Sequence, residues 1–400
     1  LDLHLSEWTG FLVRWIHLIT GISWIGSSFY FMWLDANLEP PTTAKPDVEG
    51  ELWMVHSGGF YEVERKKIGP GSMPKTLHWF KYEALFTWIS GACLLGIVYY
   101  LNASAYLIDP TVMALSPGQA VGISVGLIAA SWFVYDSIWQ FIGVKFNGLA
   151  SALSVLLAGS LAFGFCKLFS GRAAFIHTGA MFGTWMVANV WVRILPAQQK
   201  MIDATQEGRT PDYSLSGRAK RRSVHNTYMT FPVLFMMLSN HYPLAYAGRF
   251  NWVSLFSLII LGASVRHVMV AKEGKGIWAI GPAIMAAMTL VFLNGSSVVG
   301  GADSAGHVVD SSPPVPFQKV QAIITSRCVA CHSTQPTITT FGPTPGGIQF
   351  DSPQRIHTLA PEIKIRAVIT KTMPFNNLTG ITEEERQTLG HWIDQGAKIQ

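Results

Sequence analysis

Apolar residues in the first three quarters of the chain gather into long runs instead of alternating with polar ones. Each run is about twenty residues, the length at which a helix crosses a hydrocarbon core. The pattern predicts eight such helices, at about 10–34, 78–101, 119–141, 148–169, 174–195, 224–241, 251–271 and 276–294. After Asn294 the pattern changes, and Gly, Ser, Ala and Pro dominate as far as Pro316, which reads as a flexible tether. Short amphipathic stretches then return. They predict a helix leading to Cys328, a loop rich in Pro and Gly, and a helix near Pro361–Lys371. Thr382-Glu383-Glu384-Glu385 opens a last helix in capping-box form, with Leu389, Trp392 and Ile393 as its buried face. The expected fold class is all-α: a polytopic bundle over residues 1–294, a linker over 295–315 and a small helical domain over 316–400.

Composition supports a bilayer as the solvent of the first part. Only 13% of the 400 residues are charged, and 14 are tryptophan, against about 25% charged residues in a soluble protein. The net charge of +5 does not point to nucleic acid, because the basic residues are confined to particular loops. The first, third, fifth and seventh connections carry most of the lysine and arginine, including Arg65, Lys66 and Lys67 in the first and Arg218 to Arg222 in the fifth. By the positive-inside rule these connections face the cytoplasm. Both termini then lie on the other side, the periplasm if the membrane is a bacterial inner membrane. The first apolar run contains Arg14 and His17 and reads as a retained helix rather than a cleaved leader.

Cys328-Val329-Ala330-Cys331-His332 is the attachment pattern of a c-type haem. Each thiol adds to one vinyl group, and the adjacent histidine is placed to bind the iron. A downstream thioether is the expected partner, since a Met/His pair raises the reduction potential. Met373, followed by Pro374, is the candidate. The competing use of the cysteines is half of a zinc site. Cys93 and Cys166, the remaining two, lie inside apolar runs and are poorly placed to complete one. Covalent attachment takes place in the periplasm, which agrees with the loop charges.

Ionisable residues at membrane depth are costly and mark functional sites by default. Two groups stand out. His17 and His177, counted from the ends of their predicted helices, match in depth and are candidate ligands of a b-type haem, with Arg14 as a propionate partner and His241 as a rival ligand. Towards the cytoplasmic side lie Glu83, Asp136, His225 and His267 as candidate proton-transfer groups, and Arg193, Arg266 and His78 as candidate substrate-binding groups. The plainer alternative is that the arginines snorkel to headgroups and the histidines sit at the interface.

Several segments carry a family resemblance. His17-Leu18-Ile19-Thr20-Gly21-Ile22-Ser23-Trp24-Ile25-Gly26, Gly50-Glu51-Leu52-Trp53, Phe60-Tyr61-Glu62-Val63, His78-Trp79-Phe80-Lys81-Tyr82-Glu83 and Ser239 to Pro243 resemble the integral-membrane, cytochrome c-linked urate oxidases, the PuuD family. The resemblance spans nearly the whole chain. It implies hydroxylation of urate to 5-hydroxyisourate, with electrons leaving through the haem domain to a soluble cytochrome c or a terminal oxidase and no hydrogen peroxide formed. It supplies no catalytic residues. A quinol-linked haem oxidoreductase, and a membrane anchor or electron conduit for the cytochrome, are the alternatives. The buried Glu83, Asp136, Arg193 and Arg266 speak against a bare anchor, which gains nothing from their desolvation.

Overall fold

The computed structural model describes residues 3–43, 45–70, 73–271, 275–302, 313–338 and 345–399. Residues 303–312 of the expected linker and part of the Pro- and Gly-rich loop before residue 345 lie outside these residues, as does Lys272, while the start of the expected linker is helical as far as Ala302. The order of elements begins with α1 (Leu3–Asn37), a β-hairpin of β1 (Val48–His56) and β2 (Gly59–Lys66), and α2 (Tyr82–Leu94). The bundle continues with α3 (Ala103–Tyr106), α4 (Pro117–Ser137), α5 (Asn147–Leu168), α6 (Gly171–Ala188) and α7 (Leu195–Gln206). It closes with α8 (Tyr213–Leu238), α9 (Pro243–Tyr246), α10 (Asn251–Val270) and α11 (Ile280–Ala302). The C-terminal part holds α12 (Phe317–Arg327), α13 (Pro353–Thr358), α14 (Ala360–Ile363) and α15 (Glu383–Asp394).

Among the described residues, four helices are long and apolar enough to cross a membrane: Tyr82–Tyr100, Pro117–Ile142, Asn147–Leu168 and Asn251–Val270. The other expected spans are helices too: Ile277–Leu293 is apolar but shorter, while α6 and α8 carry more polar residues. Helix α6 lies at the centre of the bundle, with Phe175, His177, Thr178, Met181 and Trp185 all buried. A helix enclosed by protein has no lipid to satisfy, and small or polar residues suit its close contacts. Helix α1 has 35 residues, about 52 Å at 1.5 Å per residue, so it outruns a hydrocarbon core. Its outward face carries Phe11, Trp15, Leu18 and Ile22, all more than half exposed to the surroundings.

Helices α2, α4 and α6 each end in a π-helical turn, at Leu95–Tyr100, Ile138–Ile142 and Asn189–Ile194. Several helix starts carry a side-chain cap. Ser116 and Gln119 form a reciprocal capping box at α4, Ser170 accepts from the Ala173 amide at α6, and Thr382 and Glu385 form the expected box at α15. Each such cap is worth about 0.5–2 kcal/mol.

The hairpin is a departure from the all-α expectation. Its strands pair antiparallel, with Glu51 opposite Glu64 and Met54 opposite Tyr61. Ser57 and Gly58 turn the chain with φ of 49° and 78°, the left-handed pair that a two-residue hairpin turn requires.

The C-terminal domain has its own core, in which Phe317, Val320 and Ile324 of α12 meet Ile356, Ile363, Leu389 and Trp392. Leu389 and Trp392 are buried as expected, and Ile393 packs beside them. This domain touches the bundle. Phe375 lies against Tyr106 of α3, their ring centroids 4.7 Å apart.

Candidate functional site

One turn of α1, Phe29 to Met32, organises the region where the unpaired charges lie. Phe29 packs edge-on to Phe231 of α8 and lies under the Arg266 guanidinium of α10, whose central carbon is 4.0 Å from the ring centroid. The Tyr30 hydroxyl points to the Met54 sulfur at 3.7 Å, which joins the hairpin to the same turn. Phe31 stacks edge-on with Phe80, just before Glu83. Met32 Sδ receives Thr227 Oγ1 at 2.9 Å and Arg266 Nη2 at 3.1 Å.

Arg266 is therefore held by two aromatic faces and a thioether, and it is only 3% exposed. It forms no ion pair with a described residue, and its Nε has no hydrogen-bond partner. A buried guanidinium without a carboxylate is an expensive arrangement, and a cation–π contact of about 2 kcal/mol offsets only part of it. Glu83, at the start of α2, is its counterpart: Oε2 is buried and likewise unpartnered. Beside Arg266, His267 Nδ1 meets the Tyr228 hydroxyl at 2.7 Å, and its ring lies against Trp278.

Across α8 the charges are arranged in the opposite way. Asp136 accepts from Arg193 Nε at 2.9 Å, and from Arg222 Nη2 at 2.6 Å. Arg193 Nη2 completes a two-pronged grip on the same carboxylate. The network continues through neutral groups. Asn189 donates to the Tyr135 hydroxyl at 3.1 Å and to Asn226 at 2.9 Å, and the Tyr135 hydroxyl meets His225 Nδ1 at 2.6 Å. Tyr135 stacks on Trp185 with centroids 4.5 Å apart and planes 11° from parallel. Asp136 is thus a counter-ion to two arginines, and the charge of Arg193 is engaged. Arg222, which holds this site from α8, was not among the sequence candidates. It sits in the basic run Arg218–Arg222, which reads as a loop, whereas α8 begins at Tyr213 and carries Arg222 inside.

The structure does not bring His17 and His177 together. Helix α2 serves as the ruler. His17 Nδ1 lies 2.9 Å from the Thr87 carbonyl and 3.1 Å from Ser90 Oγ, and Gly91 leaves room for the ring, since a Cβ there would meet it at 3.0 Å. His177 instead packs against Tyr99 and Tyr100. Eight to thirteen residues along a helix correspond to roughly 12–20 Å. The expected match in depth fails because α1 begins at Leu3, which carries His17 further into the bundle than a start at residue 10 implies. His177 is also enclosed by Phe165 and Phe169. Its Nδ1 is 2.7 Å from the Ala173 carbonyl, while Nε2 is buried and unpartnered. The two histidines do not fit one b-type haem. Arg14, His78 and His241 are exposed.

In the C-terminal domain the attachment motif is a tight turn following α12. The amides of Cys331 and His332 both reach the Cys328 carbonyl, at 3.2 and 2.9 Å. His332 Nδ1 lies 3.1 Å from the Ile348 carbonyl. That bond fixes the ring and leaves Nε2 for a metal, the usual outer-shell arrangement of a ligating histidine. Burial pushes the Cys328 thiol up to about 12 and also raises Cys331, so neither is poised as a thiolate. Burial lowers His332, outweighing its backbone hydrogen bond, and favours the neutral, ligating imidazole. The Met373 loop is anchored by its own amide on the Arg366 carbonyl at 2.9 Å, and by Arg386 Nη1 on the Met373 carbonyl at 2.7 Å. These residues fit a covalently attached haem.

Among the described residues, the one cluster with metal-ligand spacing is Glu51, Glu62 and Glu64 on the hairpin. Lys45 already fills it, pairing with Glu64, with Glu62 at 3.6 Å and with Glu51 at 4.0 Å.

The fold is a helical bundle with four helices, among the described residues, long and apolar enough to cross a membrane, a buried polar site and an appended small helical domain. Residues 3–295 match the family model described as Urate oxidase N-terminal, and the chain belongs to that family. The match ends within α11, so the C-terminal domain lies outside it. No curated protein and no solved structure matches the chain. Membership supports an oxidoreductase acting on urate as the class of activity.

Proposed function

We propose that the protein is a membrane-embedded urate oxidoreductase that converts urate and water to 5-hydroxyisourate, two protons and two electrons. In this reading the bundle crosses a bacterial inner membrane eight times, with both termini and the C-terminal domain in the periplasm. Cys328 and Cys331 would hold a haem covalently, His332 and Met373 would ligate its iron, and the group would supply a one-electron way out of the protein. A soluble cytochrome c or a terminal oxidase then takes the electrons, so that no hydrogen peroxide is made.

The observation that carries the reading is Arg266, a buried cation with an unpartnered Nε and no carboxylate. Urate is an anion at neutral pH, and its binding would supply the missing negative charge. The aromatic rings of Phe29 and Phe231 give a flat apolar wall beside that charge, which suits a planar purine. Glu83, with a free buried oxygen, is the group available to take a proton. His267, bonded to Tyr228, is a second. Asp136 and Arg193 serve to hold α4, α6 and α8 together. The attached haem, when bound, supplies a one-electron sink; the chain's contribution there is to fix His332 through Ile348 and the Met373 loop through Arg366 and Arg386.

Anaerobic addition of urate to the purified, oxidised protein tests this. With excess oxidised soluble cytochrome c as the one-electron acceptor, the reduced haem c bands are expected to appear, with one 5-hydroxyisourate formed for every two electrons delivered. Oxidised bands that persist at saturating urate, in protein that dithionite reduces fully, would overturn it.

A further inference from the structure

The contact between the two domains has a chemistry of its own. Phe375 is two residues from Met373, on the loop that Arg386 pins by the Met373 carbonyl. Its ring meets Tyr106, in the connection between α2 and α4, with planes 52° apart. The Arg172 guanidinium lies over the Tyr106 ring, 5.1 Å from its centroid. Arg172 Nε donates to Asn240 Oδ1 at 2.9 Å, and the Tyr99 hydroxyl donates to the same oxygen at 3.0 Å. Tyr99 packs edge-on to His177 at 5.6 Å. Rings and hydrogen bonds therefore run without a break from the centre of the bundle to the loop of the expected iron ligand.

We propose that Tyr99, Asn240, Arg172 and Tyr106 form the port through which electrons leave the bundle, with Phe375 as the receiving contact. The inference rests on the functional reading above and goes beyond it by naming the exit. Electron transfer slows exponentially with the gap to be crossed, so the face of the haem domain that meets the bundle decides the rate. The face that meets it here is the Met373 side. Contact through α15 or α13 would instead place the domain's own core in the way. Arg172 adds a positive charge at the crossing, which favours the arriving electron. The rings act as a packed medium and undergo no net oxidation. Each urate releases two electrons and a single haem accepts one, so the port is used twice per turnover. A one-electron acceptor, such as a soluble cytochrome, would take each electron in turn.

The test uses the full-length holoprotein in nanodiscs. Tyr106→Cys with Phe375→Cys, in a Cys93→Ser background, is treated with a short bis-maleimide, and the linked peptides are sought by mass spectrometry. Tyr106→Ala and Phe375→Ala are then followed by stopped flow under anaerobic conditions. Expected are a 106–375 cross-link and haem reduction by urate slowed at least tenfold in both variants. Reduction by dithionite, the haem spectrum and urate affinity should be unchanged. Tyr106→Ala keeps the test valid if Phe375→Ala disturbs the nearby Met373. Absence of the cross-link, or wild-type reduction rates in Tyr106→Ala, would overturn the port alone. A wild-type protein whose haem is not reduced by urate would overturn the functional reading, and the port with it.

Discussion

Two arginine sites flank helix α8, and they differ in one respect. On one side Asp136 neutralises Arg193 and Arg222, and the surrounding Asn189, Asn226, Tyr135 and His225 are hydrogen-bonded to one another. On the other side Arg266 has rings and a sulfur around it but no acid. The first arrangement is complete within the fold and holds helices together. The second is incomplete, and the fold tolerates its cost. Burial alone therefore does not mark a functional charge; burial without a partner does.

The contrast predicts opposite responses to substitution. Asp136→Asn leaves Arg222 buried without its counter-ion, and breaking such a pair costs about 3–5 kcal/mol. It should lower the unfolding midpoint of the purified protein in mixed micelles more than any other single change discussed here. Arg266→Met removes the unpaired charge and keeps the length of the side chain. Stability should be unchanged or rise, by up to about 3 kcal/mol, the cost of a charge at membrane depth. A loss comparable to that of Asp136→Asn would show that Arg266 is structurally paired after all.

Smaller effects extend the comparison to charges and polar groups outside the bundle. Thr382→Ala removes the cap that Glu385 reciprocates and should cost about 1 kcal/mol of C-terminal domain stability, with the bundle unaffected. The hairpin cluster is a neutralised site in water. Hydrogen bonds from the Thr42 amide and hydroxyl hold Glu51 below its usual value of 4.5, and the hydrogen bond to Glu64 holds Lys45 above 10.5. The Glu51 contribution is present above pH 4.5 and is lost as pH falls through its lowered value. The Lys45 contribution is present below pH 10.5 and is lost as pH rises through its raised value. Hydrogen exchange of the β1 and β2 amides should accordingly show most protection between these limits, beyond the intrinsic pH dependence of exchange. Equal protection at acid pH would mean that the cluster adds nothing.

What was legible in the sequence depended on how local the cause is. The Thr382 capping box and the buried Leu389 and Trp392 follow from a few neighbouring residues, and they stand as read. Apolar runs located the bundle helices, but not their ends. The start of α1 at Leu3 upset the level assigned to His17, and the start of α8 at Tyr213 hid Arg222 in what read as a loop. The hairpin escaped because its apolar stretch, Leu52 to Val55, is short, does not alternate with polar residues and lies in a charged connection. Arg193 and Arg266 looked alike in sequence. Only pairing in three dimensions separates them, because Asp136 lies on α4 and reaches one and not the other.

The most direct test is equilibrium binding of urate to the oxidised, anaerobic protein in nanodiscs, comparing Arg266→Gln with Arg193→Gln. Losing a buried ionic contact to a ligand costs about 2–5 kcal/mol, roughly thirtyfold or more in affinity. The account predicts such a loss in Arg266→Gln, and affinity within about threefold of wild type in Arg193→Gln, whose Asp136 remains paired with Arg222. Wild-type affinity in Arg266→Gln would contradict it.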